Sequence, residues 1–228
     1  VARARELQPP AELDADVAVQ AQRDVALGAR HERVRLARRG IGRACDGRSA
    51  QADVHAGSEN EFWRVIGRTR WYFPLFWDFV LRLNGTAGVV EGINGQTVPL
   101  FERFFVGGIF TVRGFERNSI GERLSLASLP DGDLNPITIG GLTQLIFNAE
   151  IEFPIFKEVG IRGVLFFDAG NAWGSDEVFD PFDLRTSLGF GFRWNSPVGP
   201  LRFEWGFPLA PRDDEDSSIF EFTIGNSF

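Results

Sequence analysis

Residues 1–58 contain no aromatic side chain; every Phe, Trp and Tyr of the chain lies at or after Phe62. The chain is therefore two unlike pieces, and only the second has the bulky side chains that a packed core requires. Cys45 is the sole cysteine, which excludes an intramolecular disulfide and offers no metal-ligand spacing. Both histidines, His31 and His55, lie before the aromatic region, so that region lacks the imidazole a Ser-His-acid hydrolase needs. No run of 18 or more apolar residues occurs, which excludes a transmembrane helix and leaves strands open, because a spanning strand needs only about 9–11 residues. A net charge of −7 argues against nucleic acid, whose binders present a basic face. Lysine is reduced to Lys157 alone.

The opening stretch, "VARARELQPPAELDADVAVQAQRDVALGARHERVRLARRG", scatters Ala and Val without an amphipathic stripe. Arginines interrupt each short apolar run, so it is no signal peptide. Three readings stay open for residues 1–58: an irregular or disordered extension, a non-native stretch such as wrong-frame translation, and a small helical domain. No function is assigned to it.

From Glu59 onward the pattern has period two. In the segment 144–153, Leu145, Phe147, Ala149, Ile151 and Phe153 alternate with mostly polar neighbours, giving one oily and one wet face. The same alternation runs through "FEFTIGNSF", where Phe220, Phe222, Ile224 and Phe228 oppose Glu221, Thr223, Gly225 and Ser227. Seven strands are predicted, over 60–73, 77–88, 140–153, 161–173, 184–195, 200–209 and 219–228. Tight Pro-containing turns alternate with longer connections at about 90–139, 174–183 and 210–218, as in outer-membrane barrels. A soluble sandwich would also alternate, but it would carry Lys, Thr and Glu on its wet face, whereas this chain places Arg, Asn, Gly and Ser there.

Within the longest connection, "PLFERFFVGGIFTVRGFERNSIG" follows neither a strand nor a helix period. Together with "FNAEIEFPI", "GVLFFDAGNAWG", "WNSPVGPLRFEWGFPL" and a final strand ending at Phe228, it resembles the C-terminal part of the BamA-type outer-membrane assembly barrels, the bacterial surface antigen family. The resemblance covers residues 59–228. It implies an all-β fold: an antiparallel meander forming the C-terminal part of a sixteen-stranded barrel in the bacterial outer membrane, preceded in the family by POTRA repeats. It also implies that the longest loop folds inward and that Val112, Arg113, Gly114 and Phe115 form its motif. Arg113 is then expected to meet acidic residues of the inner wall, for which Glu152 and Asp168 are the candidates. Gly107 and Gly108 would let the loop bend. Phe222, Ile224 and Phe228 would form the terminal signal by which such barrels are themselves assembled.

With about nine strands and the POTRA repeats unaccounted for, the chain is expected to be a fragment. The resemblance implies a factor that folds and inserts β-barrel proteins. Its expected partners are unfolded outer-membrane proteins, accessory outer-membrane lipoproteins and membrane lipid. Other expectations are a two-partner-secretion pore or a barrel attached to a patatin-like lipase, although no Gly-x-Ser-x-Gly element stands in the chain. Glu150 and Glu152, two apart on one face, have a spacing open to acid/base chemistry, but charges lining a wet lumen are the simpler expectation. No enzyme activity, cofactor or metal is expected.

Overall fold

In the computed structural model, residues 32–36, 47–55, 61–124, 136–175, 177–197 and 199–225 are described. Eleven strands are β1 Glu32–Leu36, β2 Gly47–His55, β3 Phe62–Pro74, β4 Val80–Gly92, β5 Arg123–Leu124, β6 Ile137–Thr138, β7 Thr143–Phe156, β8 Ile161–Trp173, β9 Arg185–Ser196, β10 Gly199–Pro208 and β11 Ile219–Ile224. Nine form one sheet in the order β1-β2-β3-β4-β7-β8-β9-β10-β11, while β5 and β6 form a separate two-stranded ribbon. Each sheet neighbour is antiparallel. The topology is a meander because its short connections, such as residues 157–160 between β7 and β8, leave no length for a crossover.

All seven strands expected from the alternation are present. The expected boundary after residue 58 is not where the sheet starts, however, because Gly47–His55 pairs with β3 from Gly47↔Arg70 to His55↔Phe62, and Glu32–Leu36 pairs with β2. In the sequence of β2 the period-two signal rests on Ala50, Ala52 and Val54. Small side chains carry that signal weakly, and no aromatic accompanies it.

The two faces of the sheet are inverted relative to a water-soluble protein. Phe190 is 49% exposed, whereas Glu204 is 1% exposed and Asp168 not at all. The outward face carries Phe147, Ile151, Leu165, Phe167, Leu188, Phe190, Phe207, Phe220 and Phe222. Ring pairs cross it from strand to strand: Phe192 with Phe203 at 4.5 Å, Phe203 with Phe222 at 4.8 Å and Trp205 with Phe220 at 4.6 Å between centroids. Such an apolar outer band is stable where the surrounding solvent is hydrocarbon. Among the described residues no helix is long and apolar enough to cross a membrane.

The inner face is covered by the connection between β4 and β7. Val98, Phe104, Val106, Val112, Phe115 and Ile120 of that loop are buried against Phe62, Ile66 and Val90 of β3 and β4 and Ile146 and Ala172 of β7 and β8. Backbone bridges Phe104↔Gly141 and Val106↔Ile120 shape it. The loop follows neither a strand nor a helix period because its apolar residues pack on a wall rather than alternate along a strand.

Candidate functional site

The site lies where this loop meets the inner wall. Residues 107–112 close on themselves: the Gly107 amide donates to Thr111 Oγ1 at 2.8 Å, and the Gly108 amide donates to the Val112 carbonyl at 3.0 Å. Gly107 has φ +111, and a Cβ there would lie 2.4 Å from the Glu116 carbonyl oxygen, so this bend admits glycine alone. Gly114, at φ +84, presses its backbone against Gly206 of β10. A Cβ on Gly206 would lie 2.4 Å from the Gly114 nitrogen. Val112 packs in the same way over Gly170 of β8, where a Cβ would come within 2.8 Å of its methyl group. Glycines inside strands thus mark where a second backbone approaches.

Between Val112 and Gly114, the side chain of Arg113 is delivered onto the wall. Its Nε donates to Asp168 Oδ2 at 2.6 Å and its Nη2 to Asp168 Oδ1 at 2.7 Å, and its own backbone amide donates to the same carboxylate at 3.1 Å. This is the planar fork-to-fork geometry that guanidinium and carboxylate favour. Nη1 donates to Glu150 Oε1 at 2.6 Å and to Glu204 Oε2 at 3.2 Å. The guanidinium also lies over the Phe166 ring, 3.7 Å from its centroid, an attractive placement in a desolvated site. Asn148 donates to Asp168 Oδ1 at 2.9 Å and to the Thr111 carbonyl at 2.7 Å, joining wall and loop a second time.

Burial is the largest influence on Arg113 and disfavours its charge, yet Asp168, with Glu150 and Glu204, outweighs it and holds the guanidinium above its ordinary pKa. The charge is permanent at any physiological pH.

Of the two expected partners, the structure brings Asp168 to Arg113 and places Glu152 elsewhere. Glu152 accepts from Arg82 at 3.2 Å and Arg193 at 3.2 Å, and from Arg162. It stands two residues beyond Glu150 along β7, toward the β7–β8 turn, whereas Arg113 reaches the wall at the level of Asp168 and Glu150. Arg193 joins the two levels, donating to Glu150 at 2.9 Å and to Glu204 at 3.0 Å, and Arg202 Nη2 donates to both oxygens of Glu204 at 2.9 Å.

Glu204 was missed in the sequence, although it shares the inner face of β10 with Arg202 and alternates with Leu201, Phe203 and Trp205. Those two charges in an otherwise aromatic strand were the signal available. Phe222 and Ile224 lie on the outward face of β11, and Phe228 lies outside the described residues.

Each of the four carboxylates, Glu150, Glu152, Asp168 and Glu204, accepts at least one guanidinium bond, so the arrangement can pin the loop to the wall. Among the described residues no group of three or more His, Cys, Asp or Glu could hold a metal ion.

Comparison with known proteins agrees with this architecture. An outer membrane protein assembly factor BamA of Nitratidesulfovibrio vulgaris is 36% identical over 176 residues, 75% of this chain and 21% of the relative. That of Neisseria meningitidis is 29% identical over 201 residues, 75% of this chain and 24% of the relative. Outer envelope protein 80 of the Arabidopsis thaliana chloroplast is 30% identical over 143 residues, 58% of this chain and 16% of the relative. The chain thus spans about a quarter or less of the curated relatives it matches. The crystal structure of BamA from Haemophilus ducreyi lacking POTRA domains 1–3 superposes with a TM-score of 0.66 at 23% identity, covering 83% of this chain and 40% of that one, and so shares the fold. The Omp85 superfamily domain matches residues 41–228, and the chain belongs to that superfamily.

Proposed function

We propose that this chain is the C-terminal part of the barrel of an outer-membrane protein assembly factor, which inserts and folds β-barrel proteins in the bacterial outer membrane. The observation that carries the reading is the Arg113 loop seated on the inner wall beside β10, next to a last strand that pairs with β10 alone among the described residues. An edge strand exposes a row of unpaired amides and carbonyls. An incoming unfolded strand can add to that row through main-chain hydrogen bonds without any particular side-chain sequence. The inner network keeps the wall rigid beneath the strand that must exchange partners. The proposed partners are unfolded outer-membrane β-barrel proteins, the lipid around the apolar band and accessory outer-membrane lipoproteins. No catalytic step is assigned.

The test is reconstitution. The chain is placed in lipid vesicles, a urea-unfolded outer-membrane barrel protein is added, and its conversion to a protease-resistant, heat-modifiable form is followed. Faster conversion than in empty vesicles is expected; equal rates would refute the reading.

A further inference from the structure

The loop tip is held from two sides, and only one of them belongs to the arginine network. On one side Asn148 of β7 donates to the Thr111 carbonyl. On the other, the amide of Ile109 donates to Glu221 Oε1 of β11 at 2.7 Å. The backbone comes close there: Gly108 has φ +94, and a Cβ on it would lie 3.4 Å from that same carboxylate oxygen. Neighbouring Phe110 is 60% exposed, so the tip beyond Glu221 is not itself packed.

We propose that Glu221 is a positioning residue that latches the inward loop to β11, so that the pinned loop helps hold β11 on β10 while the other edge of β11 accepts a new strand. Three features support this. First, among the described residues β11 is joined to the sheet through β10 alone, over Leu201↔Ile224 to Gly206↔Ile219. One added charge-assisted bond is therefore a large part of what restrains it.

Second, Glu221 stands directly opposite Glu204 in that register. Arg113, Arg193 and Arg202 are engaged with Glu204, whereas Glu221 is given the loop amide. A carboxylate facing another carboxylate is a poor choice for strand pairing by itself, and the amide donor offsets it. Third, the loop that donates the bond is pinned to the wall by Arg113 a few residues later, so the latch connects β11 to the rigid part of the molecule and not to a free tip.

For its consequence the inference rests on the proposed role of β11 as the exchanging edge. The bond and its effect on strand opening can be measured without any client protein. Amide hydrogen exchange would be followed on the whole chain in lipid nanodiscs, for Glu221→Ala and Glu221→Gln beside the unchanged protein. Glu221→Ala should speed exchange at Ile109 and at the β10-paired amides of β11 by about tenfold or more. Glu221→Gln, whose amide oxygen still accepts, should recover most of the protection at both. Faster exchange at Ile109 with β11 unmoved would overturn the latch. A Gln variant as loose as the Ala variant would overturn it too, because the effect would then lie in charge rather than in the bond. If the chain promotes no client folding but β11 responds as described, the assembly reading fails and the latch stands.

Discussion

Replacing Arg113 by alanine is the perturbation whose consequence the structure constrains most closely. The side chain is 3% exposed and donates to Asp168 through both Nε and Nη2, to Glu150 and to Glu204. After truncation the three carboxylates are not equally harmed. Glu204 keeps Arg193 and Arg202, and Glu150 keeps Arg193. Asp168 keeps only neutral donors, Asn148 and the backbone amide of residue 113, and it has no exposure to water. Removing one partner of a buried ion pair in this way costs about 3–5 kcal/mol. Stability is read from denaturant-induced unfolding of the chain in lipid vesicles.

The second arm separates loss of contact from an abandoned charge. Asp168→Asn in the Arg113→Ala background removes the uncompensated carboxylate and should recover about 1–3 kcal/mol, so the double variant is more stable than Arg113→Ala alone. Arg113→Lys keeps the charge but cannot fork onto Asp168, and should fall between the wild type and the alanine variant. A loss below about 1 kcal/mol for Arg113→Ala, as an exposed surface arginine would give, refutes the inward seating of the loop. Simple additivity of Arg113→Ala and Asp168→Asn refutes the pairing.

Gly206→Ala places a methyl 2.4 Å from the Gly114 nitrogen and should displace the loop at a cost of about 1–3 kcal/mol, seen as faster proteolysis within residues 107–114. Unchanged proteolysis would show that Gly114 does not rest on β10. Phe190→Arg puts a charge on the outward face and should destabilise the chain in vesicles by about 2–4 kcal/mol if the position lies at the bilayer midplane. Unchanged stability would mean that this face does not meet lipid.

Much of this was legible in the residues. The alternation of Phe147, Ala149 and Ile151 with Asn148, Glu150 and Glu152 places the strand and its two faces, because a period of two has one backbone solution. The strand over 161–173 needed no adjustment. β2 was not legible, since alanine alternation carries too little hydrophobic contrast to stand out. The loop was legible as an exception to both periods, and Arg113 as its one charge between apolar and glycine neighbours.

The partners of that charge were only partly legible. Asp168 and Glu152 share the wet face, and nothing local distinguishes which of them an arginine from a distant loop will reach. The answer depends on the register of β7 with β8, where Asn148 faces Asp168 and Glu152 faces Val164, and on the depth at which Gly114 meets Gly206. Glu204 and Glu221 enter the site from strands 91 and 112 residues away in sequence from their loop partners. Local side-chain pattern thus determined the strands, their faces and the anomalous loop, because those follow from neighbours along the chain. Which carboxylate the arginine takes, and which strand the loop tip holds, were decided by tertiary structure, because long-range register and backbone contact set distances that no sequence spacing encodes.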